Sequence, residues 1–273
     1  MISRIIILII FSLFVLNSPL VWASNLVIVI DDFGYRQHNE EQIISFSPNI
    51  TVAVLPHSPN AKRIATLAKQ NGNDVIIHLP MAPLGKQPLE KDTLYPSMNQ
   101  DQISRIIDDA VKNVPYAIGV NNHMGSLMTS DLKGMEQVMD VLSHYSLFFL
   151  DSKTISKTQV KRAASKYNIP VVERDVFLDD EQNEQAITHQ LDQAIYLARK
   201  NGFAIAIGHP YPQTVNVLRK KLLNLPDDIQ LMKLSHLVNA TVLHEGSQIT
   251  FKELLEKYQR LFYEIYYFYI LQE

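Results

Sequence analysis

The sequence contains no cysteine in its 273 residues. Disulfides and thiolate metal sites are therefore excluded, and any bound metal must be held by His, Asp or Glu. Nine histidines supply enough nitrogen donors for that purpose. There is no run of five or more basic residues, and 25 Lys+Arg against 28 Asp+Glu leave a net charge of -3. Such a balance cannot build the field that phosphate backbones require, so nucleic acid is set aside as a partner. With 47% hydrophobic and 19% charged residues, the chain is neither a disordered tail nor a collagen. No internal repeat or low-complexity linker divides it, and its length suits one α/β barrel, which routinely takes about 250 residues.

The first 23 residues form a compositional island. Arg4 gives a positive start, residues 5–16 are almost unbroken apolar, and Asn17, Ser18 and Pro19 interrupt the run before Val21-Trp22-Ala23. Small side chains three and one residues before a cut are the pattern of a cleaved secretory signal peptide. An uncleaved anchor is the alternative, although the stretch is shorter than the about 20 apolar residues that span a bilayer. The expectation is an exported, periplasmic protein with no stable membrane insertion after cleavage.

From Ser24 onward, short apolar runs alternate with helix-length amphipathic segments. Strands are expected at 26–30, 50–55, 75–79, 117–120, 147–150, 170–172, 204–208 and 229–234. These runs are apolar on both faces, as in a parallel sheet covered by helices. Between them, Ile103, Ile106, Ile107, Ala110 and Val111 share one helical face, as do Met135, Val138, Met139 and Leu142. Ser58-Pro59 is expected to cap one helix that Gly72 closes, and Asn99 to cap the next. The domain is placed at residues 24–243. Residues 244–273, rich in Phe and Tyr from Phe251 onward, are expected to form a helical extension packed on it.

Ligands of parallel sheets gather at the carboxyl ends of the strands, and polar residues cluster there. The first strand ends in Asp31-Asp32, the third in His78, and the fourth runs into Asn121-Asn122-His123. The fifth ends in Asp151, the sixth leads to Arg174-Asp175, and the seventh ends in His209. Adjacent carboxylates leaving a strand point in different directions, so one can bind metal while the other acts as a base. His78 and His123 with an Asp of the dyad complete three N/O ligands. Three ligands and an open position describe a catalytic zinc site, although nickel, cobalt or manganese accept the same donors. An ion so held acidifies its water to a pKa of about 7, which points to hydrolysis. Ser126 and Ser152 lie near the rim without a Gly-x-Ser-x-Gly elbow, so a serine nucleophile is disfavoured.

The stretches Ile30-Asp31-Asp32-Phe33-Gly34, Gly119-Val120-Asn121-Asn122-His123-Met124-Gly125-Ser126, Phe149-Leu150-Asp151-Ser152 and Ile207-Gly208-His209-Pro210 resemble the divergent polysaccharide deacetylase family. That family lies within the wider glycoside hydrolase/deacetylase superfamily, and the resemblance spans about residues 25–243. It implies a distorted (β/α) barrel and metal-dependent removal of N- or O-acetyl groups from a polysaccharide. Carried over by position, Asp31 matches the base, Asp32 and His123 match metal ligands, and His209 matches the acid that protonates the leaving group. Asp151 would orient that acid; Arg174 would tune the base and, with Asn122, face the substrate. One departure stands out: better-known deacetylases pair two histidines a helical turn apart, whereas no histidine follows His78 within five residues. The second imidazole is then expected from another strand, as His123.

Other residues are given plainer readings. His38, His144 and His189 are expected to be solvated, His236 and His244 to lie outside the site, and His57 to sit on the rim as an outlying metal or substrate candidate. Asp175, Asp179 and Asp180 read as a solvated acidic loop, and residues 80–96 as a proline-rich connection shaping a cleft. Two other functions compete with a deacetylase: a non-catalytic barrel that binds a glycan or an envelope partner, and a two-metal phosphoesterase. The second lacks a Gly-rich phosphate cradle.

Overall fold

The computed structural model describes residues 23–246, so the expected signal peptide (but for Ala23) and the aromatic C-terminal segment lie outside the described residues. Nine strands form one sheet: β1 (Ser24–Phe33), β2 (Thr51–Val54), β3 (Asp74–Met81), β4 (Gly119–Met124), β5 (Phe148–Asp151), β6 (Val171–Glu173), β7 (Val176–Phe177), β8 (Phe203–Gly208) and β9 (Ile229–Leu231). Their order is β6-β5-β4-β3-β2-β1-β8-β7, all pairs parallel, with β9 added beside the start of β1. The two ends of that row, β6 and β7, are joined in the chain by Arg174-Asp175 alone. The sheet therefore curls into a distorted (β/α) barrel whose seam is a covalent link.

The helices between the strands are α1 (Gln37–Phe46), α2 (Ala61–Asn71), α3 (Gln100–Asn113), α4 (Leu132–Leu142), α5 (Val160–Ser165), α6 (Glu184–Asn201), α7 (Pro212–Leu222) and α8 (Leu234–Gly246). Asn99 caps α3 with a full capping box, its Oδ1 accepting from Gln102 N at 2.9 Å while Gln102 Oε1 accepts from Asn99 N at 3.0 Å. Gly72 closes α2 in the left-handed region. Ser58 does not cap α2, however. The helix starts at Ala61, and Ser58 Oγ donates instead to Leu55 O at 2.7 Å. No described helix is long and apolar enough to cross a membrane.

Two apolar clusters separate the faces of the strands. Leu26, Ile28 and Ile30 of β1 pack outward with the helices, as do Val75, Ile77 and Leu79 of β3. Val27 and Val29, Ile76, Phe148 and Leu150, and Ile205 and Ile207 fill the barrel interior, which Leu234, Leu237 and Val238 of α8 close from below. Because side chains alternate along a strand, residues of the inner parity near the carboxyl end reach the rim from inside. The strand Val176–Phe177 was not expected from the sequence; two residues are too short to show a period.

The turn after β1 is held tightly. Glu40, fully buried, accepts through Oε1 from the backbone N–H groups of Gly34, Tyr35 and Arg36 at 2.9, 3.0 and 2.5 Å. Gly34 has φ +120°, and a Cβ there would lie 1.7 Å from Ser58 Oγ. Gly34→Ala should therefore cost about 2–4 kcal/mol. Gly202→Ala, also at positive φ but with open space around it, should cost only about 1 kcal/mol. Denaturant unfolding of both variants checks this; equal losses would mean that the contact with Ser58 is not what fixes the turn.

Candidate active site and metal centre

Inner parity brings Asp31 of β1, His78 of β3, Asn121 and His123 of β4, and His209 after β8 to one rim. Asp32 belongs to the outer parity, yet it also faces the site. Its φ is +58°, and the β1–β2 register slips between Ile30 and Phe33, so a bulge with a left-handed residue swings this carboxylate inward. Asp tolerates that conformation better than most residues.

Asp32, His78 and His123 converge. Asp32 Oδ1 lies 3.0 Å from His123 Nδ1 and 3.3 Å from His78 Nε2, and the two nitrogens are 3.1 Å apart. A tetrahedral ion with ligand bonds of about 2.0–2.1 Å separates its ligands by about 3.3 Å, so these atoms form one face of such a tetrahedron. Asp32 Oδ1 is also buried without a well-aligned hydrogen bond. The surrounding polar groups orient the donors. Asn121 Nδ2 donates to Asp31 Oδ1 at 2.8 Å, which leaves Asn121 Oδ1 to accept from His78 Nδ1 at 2.8 Å. Neutral His78 then carries its lone pair on Nε2, toward the triangle. The donor set fits a divalent ion.

Charge is distributed unevenly around this triangle. Burial works against ionisation of Asp32, but His123 and His78 outweigh it and hold the carboxyl well below the usual range. Asp31 is shifted the opposite way: burial pushes it up, only partly offset by His78, His209 and Asn121. Burial also disfavours charge on His78, yet Asp31 and Asp32 raise its pKa.

His209 stands across the site, its Nε2 3.9 Å from Asp32 Oδ2. Asp179 orients it, accepting from His209 Nδ1 at 2.9 Å and from His209 N at 2.6 Å, while Thr214 Oγ1 donates to the same carboxylate at 2.7 Å. Burial opposes protonation of His209, but Asp179, aided by Asp32 and Asp31, lifts its pKa to about 9. Phe177 and Tyr211 flank the imidazole with ring centroids 5.4 Å away on each side. The site opens into a cleft of about 990 Å³ lined also by Gln87, Lys153 and Arg174.

Three expectations are corrected. Asp151 does not orient His209. It has the outer parity of β5, and its oxygens accept from Lys153 N and Thr158 Oγ1, both at 2.8 Å. Asn122, likewise outer, is a buried clamp rather than a free substrate ligand: its Nδ2 donates to Met124 O at 2.7 Å and its Oδ1 accepts from Ser152 N at 2.9 Å. Asp179 is not part of a solvated loop but is 2% exposed. Arg174 lines the cleft, its guanidinium donating to the carbonyls of Ser152 and Lys153 at 2.7 and 3.1 Å, and it lies within Coulombic reach of Asp31. His38, His144 and His189 are exposed, as expected; His236 is exposed too, and His244 lies beyond the described side chains.

Two of the functional residues were missed. Asn121 was detectable, being two residues before His123 and hence on its face. Asp179 follows Val176–Phe177 at inner parity, but that strand gave no periodic signal. Asp179→Asn should lower the pKa of His209 by at least about one unit from 9 toward its ordinary 6.5, read by imidazole NMR titration. A folded-state pKa above the unfolded one stabilises fully below about 6.5 and loses that contribution as pH rises through about 9. The stability gap between wild type and variant should therefore close over that interval. An unchanged His209 titration would remove Asp179 from this role.

Comparison with known proteins agrees with the architecture. The chain is 58% identical to the uncharacterized protein YibQ of Escherichia coli (strain K12) over 228 residues, covering 84% of this chain and 71% of that one. The crystal structure of protein ATU2773 from Agrobacterium tumefaciens C58 superposes with a TM-score of 0.75 at 22% identity, covering 79% of this chain and 89% of that one. A variant of the peptidoglycan deacetylase PdaC from Bacillus subtilis shares the fold with a TM-score of 0.53 at 14% identity, over 86% and 97% of the two chains. The profile of divergent polysaccharide deacetylases matches residues 28–238. Since that span reaches every strand of the sheet that carries the rim, the chain belongs to the divergent polysaccharide deacetylase family.

Proposed function

We propose that the protein is an exported, metal-dependent hydrolase that removes acetyl groups from an envelope or extracellular polysaccharide. The observation that carries this reading is the placement of a buried carboxylate, Asp31, and an Asp-supported imidazole, His209, beside one three-donor triangle. Asp32, His78 and His123 would hold the ion, most readily zinc, which when bound supplies Lewis acidity and an acidified water. Among the described residues, the other donor cluster shares no residue with this triangle, which favours one ion over the paired ions of phosphoesterases.

The chain's own groups divide the proton work. Asp31, raised by burial, is poised closer to neutrality than an ordinary carboxyl and takes a proton from the attacking water. Asn121 keeps its carboxylate in place through the 2.8 Å bond. His209 remains protonated up to about pH 9 and offers Nε2 to the departing amine or alcohol, since Asp179 occupies Nδ1. An acid that stays protonated through neutral pH thus faces a carboxylate placed to act as the base. Phe177 and Tyr211 line the cleft and offer aromatic surface to a sugar.

Asp31→Asn should reduce acetate release from N-acetylglucosamine oligomers or O-acetylated xylan by about 10²–10⁴-fold while retaining the ion. His123→Ala should lose turnover together with the ion held by this triangle. Acetate assays with elemental mass spectrometry check this; undiminished release by Asp31→Asn would refute the base assignment. A metal-loaded wild type inert toward such substrates would favour the glycan-binding barrel. Export predicts that the protein recovered from the periplasm of a Gram-negative host begins at Ser24, and a cytoplasmic chain that still begins at Met1 would contradict it.

A further inference from the structure

A second convergence of donors lies outside the site just described. His57 follows β2, Asp92 belongs to the long rim loop between β3 and α3, and Asp109 lies on α3. One donor atom from each falls within 4.8 Å of the others. His57 Nε2 is 3.0 Å from Asp92 Oδ2 and 3.7 Å from Asp109 Oδ2. That nitrogen is shielded from solvent without a well-aligned hydrogen bond, and the His57 side chain is only 11% exposed. An unsatisfied buried nitrogen facing two carboxylates calls for a positive partner.

We propose that His57, Asp92 and Asp109 bind a second divalent transition-metal ion, such as zinc, which clamps the rim loop against the barrel. Charge favours an ion over the imidazole alone. Two carboxylates and a protonated His57 leave a net negative charge, whereas two carboxylates, a neutral His57 and a divalent ion balance to zero. Lys91 Nζ reaches Asp92 Oδ2 only at 3.7 Å and is 71% exposed; Arg105 and Lys112 share a surface pocket with Asp92 and Asp109 but come within 4 Å of neither carboxylate, and Asp109 Oδ2 also accepts from Asn113 Nδ2 at 3.3 Å. One imidazole and two carboxylates suit zinc, cobalt or manganese, with water completing the coordination. Asp92 adopts φ +58°, the left-handed conformation that turns its carboxylate toward His57.

The consequence is control of a cleft wall. The rim loop carries Gln87, which lines the catalytic cleft. Its other anchors are the exchange between Leu94 and the backbone of Pro80 and Ala82, the Leu84 N–H to Ser126 Oγ bond of 2.9 Å, and the Tyr35–Glu90 bond of 2.8 Å. An ion joining Asp92 to Asp109 and His57 would tie the loop's midpoint to two further elements.

The test uses the full exported chain and zinc alone, so its outcome does not depend on whether the protein deacetylates. Wild type should bind two equivalents of zinc, Asp92→Asn and His123→Ala one each, and the combined variant none. Asp92 is exposed enough for Asn to replace it without refolding the loop, and Asn tolerates its φ. Trypsin cuts the loop at the exposed Lys86 and Lys91. Zinc at ten times its Kd should slow that cleavage about tenfold in wild type and in His123→Ala, but not in Asp92→Asn. Zinc stoichiometry unchanged by Asp92→Asn, or equal zinc protection of the loop in that variant, would overturn the proposal and leave His57 as an ion-pair partner only.

Discussion

The site depends on one constraint, the alternation of side chains along parallel strands. Residues at 27 and 29, at 76, at 148 and 150, and at 205 and 207 fill the barrel interior. Continuing each inner series by two residues delivers Asp31, His78 and His209 to a common rim, while the same step on β5 delivers Ser152 and turns Asp151 away. Asp32 is the exception on which the three-donor triangle rests. Without its left-handed backbone, the carboxylate nearest both imidazoles would face the helices. The packing around this exception explains why Glu40 is buried with three backbone donors and why Gly34 has no room for a Cβ.

Building both histidines on strands rather than on one helix also has a structural consequence. β3 and β4 pair with His78 opposite Asn121 and Pro80 opposite His123, so register alone sets the spacing of the two rings. Their planes stand at 83°, edge to face, which lets two nitrogens approach one point without stacking. A helical pair would depend on one turn staying intact. Here, a register slip would flip the donors to the other face, where the apolar cluster excludes them.

The apolar runs made the parallel barrel legible in the sequence, and the clustering of Asp31, Asp32, His78, His123 and His209 at strand ends made most of the rim legible too. Two of the errors share one source. Asp151 and Asn122 were read by their nearness to a strand end rather than by their parity, and counting in twos from Phe148 or from His123 would have turned both outward. Asp179 could not be recovered in that way, because its strand is two residues long and its neighbours Asp175 and Asp180 are polar. The inward turn of Asp32 was equally hidden: a left-handed Asp leaves no compositional trace. Ser58-Pro59 mimicked a helix start because the serine serves the turn after β2 rather than the helix that follows it.

The surroundings of His209 show why Asp179 is indispensable to an acid at this position. Each ring beside the imidazole carries a guanidinium, Arg174 5.2 Å from the centre of Phe177 and Arg36 5.0 Å from that of Tyr211. Burial disfavours a positive charge on the imidazole beside those rings. A carboxylate with both oxygens engaged, one on the ring and one on the backbone N–H of the same residue, fixes the imidazole and supplies the opposing charge at 2.9 Å. Asp179 thus offsets the burial that would otherwise hold the imidazole neutral.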